Sequence, residues 1–189
     1  MENTTDTSTQ QDSKLLVEAG YDKIAPRYLE WATLNSHTSP RLRYLHKLLE
    51  LLPKKSKVLE LGCGAGVPCT QLLAEKHEVT GNDISATQIE LARKHVPSAT
   101  FVKGDMMALA FEKGKFGAVL GFYSVIHIPR EEQGTMLRRI CGWLDDGGYL
   151  LLNLGTRDDP GSVNEDVWKS FNSLEQDQDV VLTHDFSSG

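Results

Sequence analysis

A chain of 189 residues, 40% hydrophobic and 24% charged, has the size and composition of one soluble globular domain with a real core. No apolar run is long enough to span a bilayer, and Cys63, Cys69 and Cys141 form neither a CxxC pair nor a Cys/His spacing, which argues against a disulfide framework or a metal site and fits a reducing, cytoplasmic setting. The net charge of −6 is carried by residues 157–189, where Arg157 and Lys169 stand against eight acidic residues, and no basic stripe marks a nucleic-acid surface.

The opening stretch, MENTTDTSTQQDS (1–13), is polar and lacks the apolar region of a signal peptide, so it reads as a disordered arm. From Leu15 to Trp31 the pattern is helical, with Gly20 and Pro26 expected to break it into pieces. Ser39 then offers an N-cap and Pro40 a first helical residue. Leu42, Leu45, Leu48, Leu49 and Leu52 form one apolar stripe, and Pro53 closes the helix.

Strands and helices alternate after that. KVLELG (57–62) reads as a strand, 67–76 as a helix with Pro68 in its first turn, and HEVTGND (77–83) as a second strand. Residues 85–95 read as a helix opened by a capping box from Ser85 to Gln88, with Ile84 and Ile89 spaced as a hydrophobic staple. ATFVKGD (99–105) is a third strand, and 116–128 begins as a buried fourth. Residues 130–144 are a helix with Leu137, Ile140, Cys141 and Leu144 on one face; 145–148 form a turn and YLLLNL (149–154) a fifth strand. This alternation, with continuous apolar strands, predicts a doubly wound α/β fold: a mostly parallel, Rossmann-like sheet with helices on both faces.

Three glycines, Gly62, Gly64 and Gly66, follow the first strand directly in VLELGCGAG (58–66). In such sheets ligands bind beyond the carboxyl ends of the strands, and bare backbone there lets a ligand lie against the chain. The dinucleotide fingerprint GxGxxG is not met, because its third glycine position is Val67. Asp83 ends the second strand about 20 residues on, where a carboxylate can accept ribose hydroxyls, and Asp105 ends the third. Either aspartate could equally cap a helix or turn.

The GxGxG pattern, with Glu60 two residues before the first glycine, resembles motif I of the class I S-adenosylmethionine-dependent methyltransferases of small-molecule type. The resemblance runs from about residue 20 to 156. It implies S-adenosyl-L-methionine as cofactor, with Glu60 near the methionine amino group and Gly62, Cys63 and Gly64 along the chain of the cofactor. Asp83 would lie by the ribose and Asp105 and Met106 by the adenine, with Ile84 and Gln88 also among the cofactor-binding residues. YDKIAPRYLEW (21–31) resembles the family's N-terminal cap segment, which puts Tyr21 and Tyr28 over the sulfonium region and Trp31 by the acceptor. Tyr21 and Tyr28 read equally well as core aromatics, and Cys63 as a small residue whose N–H matters more than its thiol.

Methyl transfer is an in-line displacement at an already activated carbon, so much of the catalysis lies in positioning. GFYSVIHIP (121–129) supplies an aromatic wall through Phe122 and Tyr123, whose ring faces tolerate a sulfonium charge. His127 in the following turn is the candidate base for a hydroxyl or protonated amine acceptor; its other reading is a cap on the next helix. The fourth strand lacks the Asn/Asp-Pro-Pro-Tyr/Phe motif of enzymes acting on planar amines, and no acidic cluster suggests a metal. A small-molecule oxygen or nitrogen acceptor remains.

The expected organisation is an arm (1–13), a methyltransferase core (14–156, with 14–56 a helical cap and 57–156 the sheet) and an acidic variant segment (157–189). In that last segment the family's closing hairpin looks incomplete, with one strand-like stretch at 179–186. An unpaired sheet edge invites dimerisation or aggregation, and a monomer or weak homodimer is expected. Two other functions stay open: a methyltransferase-like protein that binds cofactor or a partner without turnover, and an NAD-linked oxidoreductase.

Overall fold

The computed structural model describes residues 7–34, 39–154 and 180–181. The first helix, α1 (Thr7–Leu34), is continuous. It starts inside the stretch 1–13 expected to be an arm, and neither Gly20 nor Pro26 breaks it. An internal proline removes one backbone hydrogen bond and normally kinks a helix. Here the contacts of one face prevail: Val17, Ala25 and Ala32 are buried, and Tyr21 and Tyr28 lie between them at three- and four-residue spacing. Tertiary packing thus overrides the local signal.

The second helix, α2 (Pro40–Leu51), starts after Ser39 with proline in its first turn, as expected. Its leucine stripe does not cap the ligand side. Leu45, Leu48 and Leu52 instead pack on one face of the sheet.

The strands are β1 (Lys57–Leu61), β2 (Glu78–Asp83), β3 (Thr100–Lys103), β4 (Phe116–Gly121), β5 (Leu144–Leu154) and β6 (Val180–Val181). They form one sheet in the order β3-β2-β1-β4-β5-β6, parallel except for β5 with β6. The doubly wound prediction therefore holds. Of the strand-like stretch 179–186 only Val180 and Val181 are described, and the rest of 157–189 lies outside the described residues.

Strand alternation sends side chains to opposite faces and builds two cores. Val58, Ala118, Leu120 and Leu151 meet α2 and α3 (Cys69–Ala74), and Leu59, Leu61, Val119 and Leu152 meet α5 (Arg130–Trp143). Each fully buried leucine contributes about 1.5–3 kcal/mol. On α5 the buried stripe is Met136, Ile140 and Trp143; Cys141, expected on that face, is exposed. The expected turn at 145–148 is an interruption within β5: Leu144 pairs with Phe116, and the next pair is Tyr149 with Ala118. One residue on β4, Gly117, thus faces four on β5, and Gly147 takes a φ of 76° to allow it.

Candidate active site

In this strand order the chain leaves β1 toward β2 on one side, while β4 lies on the other, which opens a crevice at the carboxyl ends of β1 and β4. The glycine loop lies there. Gly62, Gly64 and Gly66 all have positive φ (68°, 54° and 80°), a region in which side chains are strained. At Gly62 a Cβ would lie 2.3 Å from the Cβ of Ser124, so only glycine lets the loop pass the end of β4. At Gly64 the nearest neighbours of a Cβ would be Tyr28 at 3.7 Å and Gln88 at 3.8 Å. That glycine is open toward a cavity.

The cavity brings together residues far apart in sequence: Tyr21 and Tyr28 of α1, Gly62 and Gly64, Asp83, Ile84 and Gln88, Asp105 and Met106, and Phe122, Tyr123 and His127. Twelve of the fifteen predicted site residues therefore share one wall. Glu60 and Cys63 line a smaller adjoining cavity with Arg41. Trp31 lines neither; its ring lies against Tyr28, with centroids 5.6 Å apart.

Asp83 ends β2 with its carboxylate spread over two backbone donors. Oδ2 accepts from Gly64 N and Oδ1 from Ser85 N, both at 2.9 Å, so the glycine loop and the start of α4 (Ala86–His95) are tied to one side chain. Burial raises its pKa to about 6 against those hydrogen bonds. Ser85 Oγ caps α4 by accepting from Gln88 N at 3.1 Å. The return half of the capping box is not made: Ser85 N is held by Asp83, and both polar atoms of the Gln88 amide are buried without a partner. A fully buried, unpaired amide facing a cavity is costly unless a ligand completes it.

Asn82, one residue before Asp83, donates through Nδ2 to Val102 O (3.0 Å) and Gly104 O (2.9 Å), which locks the end of β3 to β2. That places Asp105. Its Oδ1 accepts from Met107 N at 2.9 Å and its Oδ2 from Lys14 Nζ at 2.9 Å. Glu60, buried in β1, accepts from Thr70 Oγ1 at 2.5 Å; burial raises its pKa to about 7, although Arg41 works the other way.

At the end of β4 Tyr123 takes a positive φ of 53°, unusual for a bulky residue, and its N–H donates to Asn153 Oδ1 at 2.5 Å. This turn delivers His127, whose Nε2 lies 2.9 Å from Tyr21 Oη. Burial lowers the His127 pKa to about 4 and pushes the Tyr21 hydroxyl well above its ordinary value, so the pair is neutral around pH 7.

Residues 58–148 match the family described as methyltransferase domain. The match covers just under half of the chain. The chain is 41% identical over 119 residues to trans-aconitate 2-methyltransferase of Paracidovorax citrulli, covering 60% of this chain and 45% of that one. It is 28% identical over 102 residues to a dTDP-3-amino-3,4,6-trideoxy-alpha-D-glucopyranose N,N-dimethyltransferase of Streptomyces venezuelae, covering 53% and 43%. It thus spans less than half the length of these relatives. Two solved structures share the fold. A TehB-like SAM-dependent methyltransferase from Corynebacterium glutamicum is 21% identical with a TM-score of 0.60, covering 77% of this chain and 79% of that one. Haemonchus contortus phosphoethanolamine N-methyltransferase 1, solved with phosphoethanolamine and S-adenosylhomocysteine, is 20% identical with a TM-score of 0.62, covering 93% and 38%.

Sequence reasoning missed several wall residues of this cavity: Lys14, Val17, Asn82, Gly104, Ser124 and Ile128. Asn82 carried a signal, a polar residue just inside a buried strand end. Lys14 carried none, since nothing in its neighbours says that α1 crosses the sheet. No helix among the described residues is long and apolar enough to cross a membrane.

Proposed function

We propose that the chain is an S-adenosylmethionine-dependent methyltransferase for a small-molecule oxygen or nitrogen acceptor, working in the cytoplasm. The observation that carries this reading is the unpaired, buried Gln88 amide facing the same cavity as the Asp83 and Asp105 carboxylates, beside a glycine with open space. These groups fit a nucleoside joined to an amino acid. Asp83 and Gln88 would hold the ribose, Asp105 the exocyclic amine of the base with Met106 on its ring. Glu60 faces the adjoining cavity on the far side of Gly62 and Gly64, where the amino-acid end would lie.

When bound, this cofactor supplies an electrophilic methyl group on a sulfonium. The protein's part is placement and proton handling. Phe122, Tyr123, Tyr21 and Tyr28 wall off the reacting region with ring faces. His127 is unprotonated at neutral pH and can accept a proton from a hydroxyl as it attacks, or from an ammonium before the freed amine attacks, while its bond to Tyr21 fixes the ring.

Calorimetric titration tests the proposal, with S-adenosylhomocysteine and NAD run against the parent protein and Asp83→Asn. Saturable binding of the first ligand alone is expected, weakened about tenfold or more in the variant through loss of charged hydrogen bonds. Binding of NAD instead would point to an oxidoreductase. No binding of either by folded protein would sink the reading.

A further inference from the structure

We propose that Lys14 is a positioning residue of the cofactor cavity: by taking the carboxylates of Asp105 and Glu132 together, its ammonium orients Asp105 and fastens α1 across the cavity's outer end. This rests on the cofactor reading given above.

Three elements meet at one nitrogen. Lys14 Nζ, on the first half of α1, donates to Asp105 Oδ2 at 2.9 Å, just after β3, and to Glu132 Oε2 at 2.6 Å, in the first turn of α5. Such charge-assisted bonds are short and strong, and these are mostly shielded: the three side chains are 22%, 31% and 21% exposed. Burial opposes the Lys14 charge, yet the hydrogen bonds that it donates to Glu132 and Asp105 raise its pKa. Lys14 also lines the cavity itself, one helical turn from Val17.

The consequence for Asp105 is geometric. With Oδ1 held by Met107 N and Oδ2 by Lys14, its carboxylate is fixed in plane and keeps spare lone pairs for a donor in the cavity. Remove the ammonium and Asp105 faces Glu132 without compensation, so the two carboxylates repel and Asp105 turns outward.

For α1 the consequence is attachment. Its middle is pinned by Asp22, which accepts from Ser85 Oγ at 2.5 Å and Thr87 N at 3.0 Å. Glu18 pairs with Lys103 at 2.7 Å at a more exposed site, where an ion pair contributes little. Towards the N-terminus Leu15 and Leu16 are exposed, so Lys14 is the principal polar anchor of that half among the described contacts.

The test uses full-length protein with Lys14→Gln, Lys14→Arg and Glu132→Gln, in two measurements. In ligand-free protein, amide exchange over residues 13–20 is expected to rise about tenfold in Lys14→Gln, less in Glu132→Gln, and to stay near the parent in Lys14→Arg. In stopped-flow binding of S-adenosylhomocysteine, Lys14→Gln is expected to dissociate about tenfold faster, with Lys14→Arg restoring most of the loss. Unchanged exchange in Lys14→Gln overturns the fastening of α1, and unchanged dissociation overturns the positioning of Asp105. Failure of the parent to bind S-adenosylhomocysteine would overturn the cofactor reading and with it the positioning role, while exchange still judges the fastening.

Discussion

Two glycines two residues apart should respond to the same substitution in opposite ways. Gly62→Ala puts a methyl 2.3 Å from Ser124 Cβ and 3.1 Å from its Oγ, at a φ of 68°. The left-handed backbone costs about 1–2 kcal/mol for a residue with Cβ. The clash is with the root of a side chain and not a flexible tip, so the turn after β4 must shift, at about 1–3 kcal/mol. Together about 2–5 kcal/mol is a large share of the 5–15 kcal/mol that holds a typical domain. Gly64→Ala incurs only the backbone strain, since its methyl would meet Tyr28 and Gln88 at ordinary contact distances of 3.7 and 3.8 Å. That methyl points into the ligand cavity. Urea unfolding of both variants, followed by S-adenosylhomocysteine titration where both are folded, separates the effects. Gly62→Ala should lose the more stability; Gly64→Ala should lose the more affinity for its stability. Equal destabilisation, or parental affinity in Gly64→Ala, would refute the reasoning.

Two predictions concern pH. The Glu60 carboxyl at about 7 lies above its unfolded value of about 4.3, so the folded state holds that proton more tightly; the stabilisation is full below pH ~4 and lost as pH rises through about 7. Glu60→Gln keeps an acceptor for Thr70 and removes the titration, so it should gain about 3 kcal/mol on the parent between pH 4 and 8 in urea unfolding; parallel curves would contradict the burial of this charge. His127 runs the other way: with a folded pKa of about 4 its contribution is present above about 6.5 and lost as pH falls through about 4. Its ring protons in an NMR titration should stay flat from pH 8 to about 5.5, and a midpoint near 6.5 would show that the imidazole is not shielded as described.

The fold was legible because its signals are local and repeat. Each buried parallel strand is an apolar run and each connecting helix carries its own start signal, as Ser85 does for α4. Locality also explains the errors. Pro26 and Gly20 say break, yet α1 runs on because its Val17–Ala32 face is covered by other parts of the chain. The β5 interruption at 145–148 reads as a turn because sequence does not show which residues of β4 lie opposite.

What the sequence by itself determined is the parallel sheet, the glycine loop and the acidic residues at successive strand ends, all set by backbone chemistry within a few positions. Only the tertiary structure decided which residues share a cavity. It set Tyr21 against His127 across 106 positions and Lys14 against Asp105 across 91, and it left Trp31 on Tyr28. It alone shifted the pKa values of Glu60, Asp83 and His127, because burial in a low-dielectric interior belongs to the assembled chain and not to any segment of it.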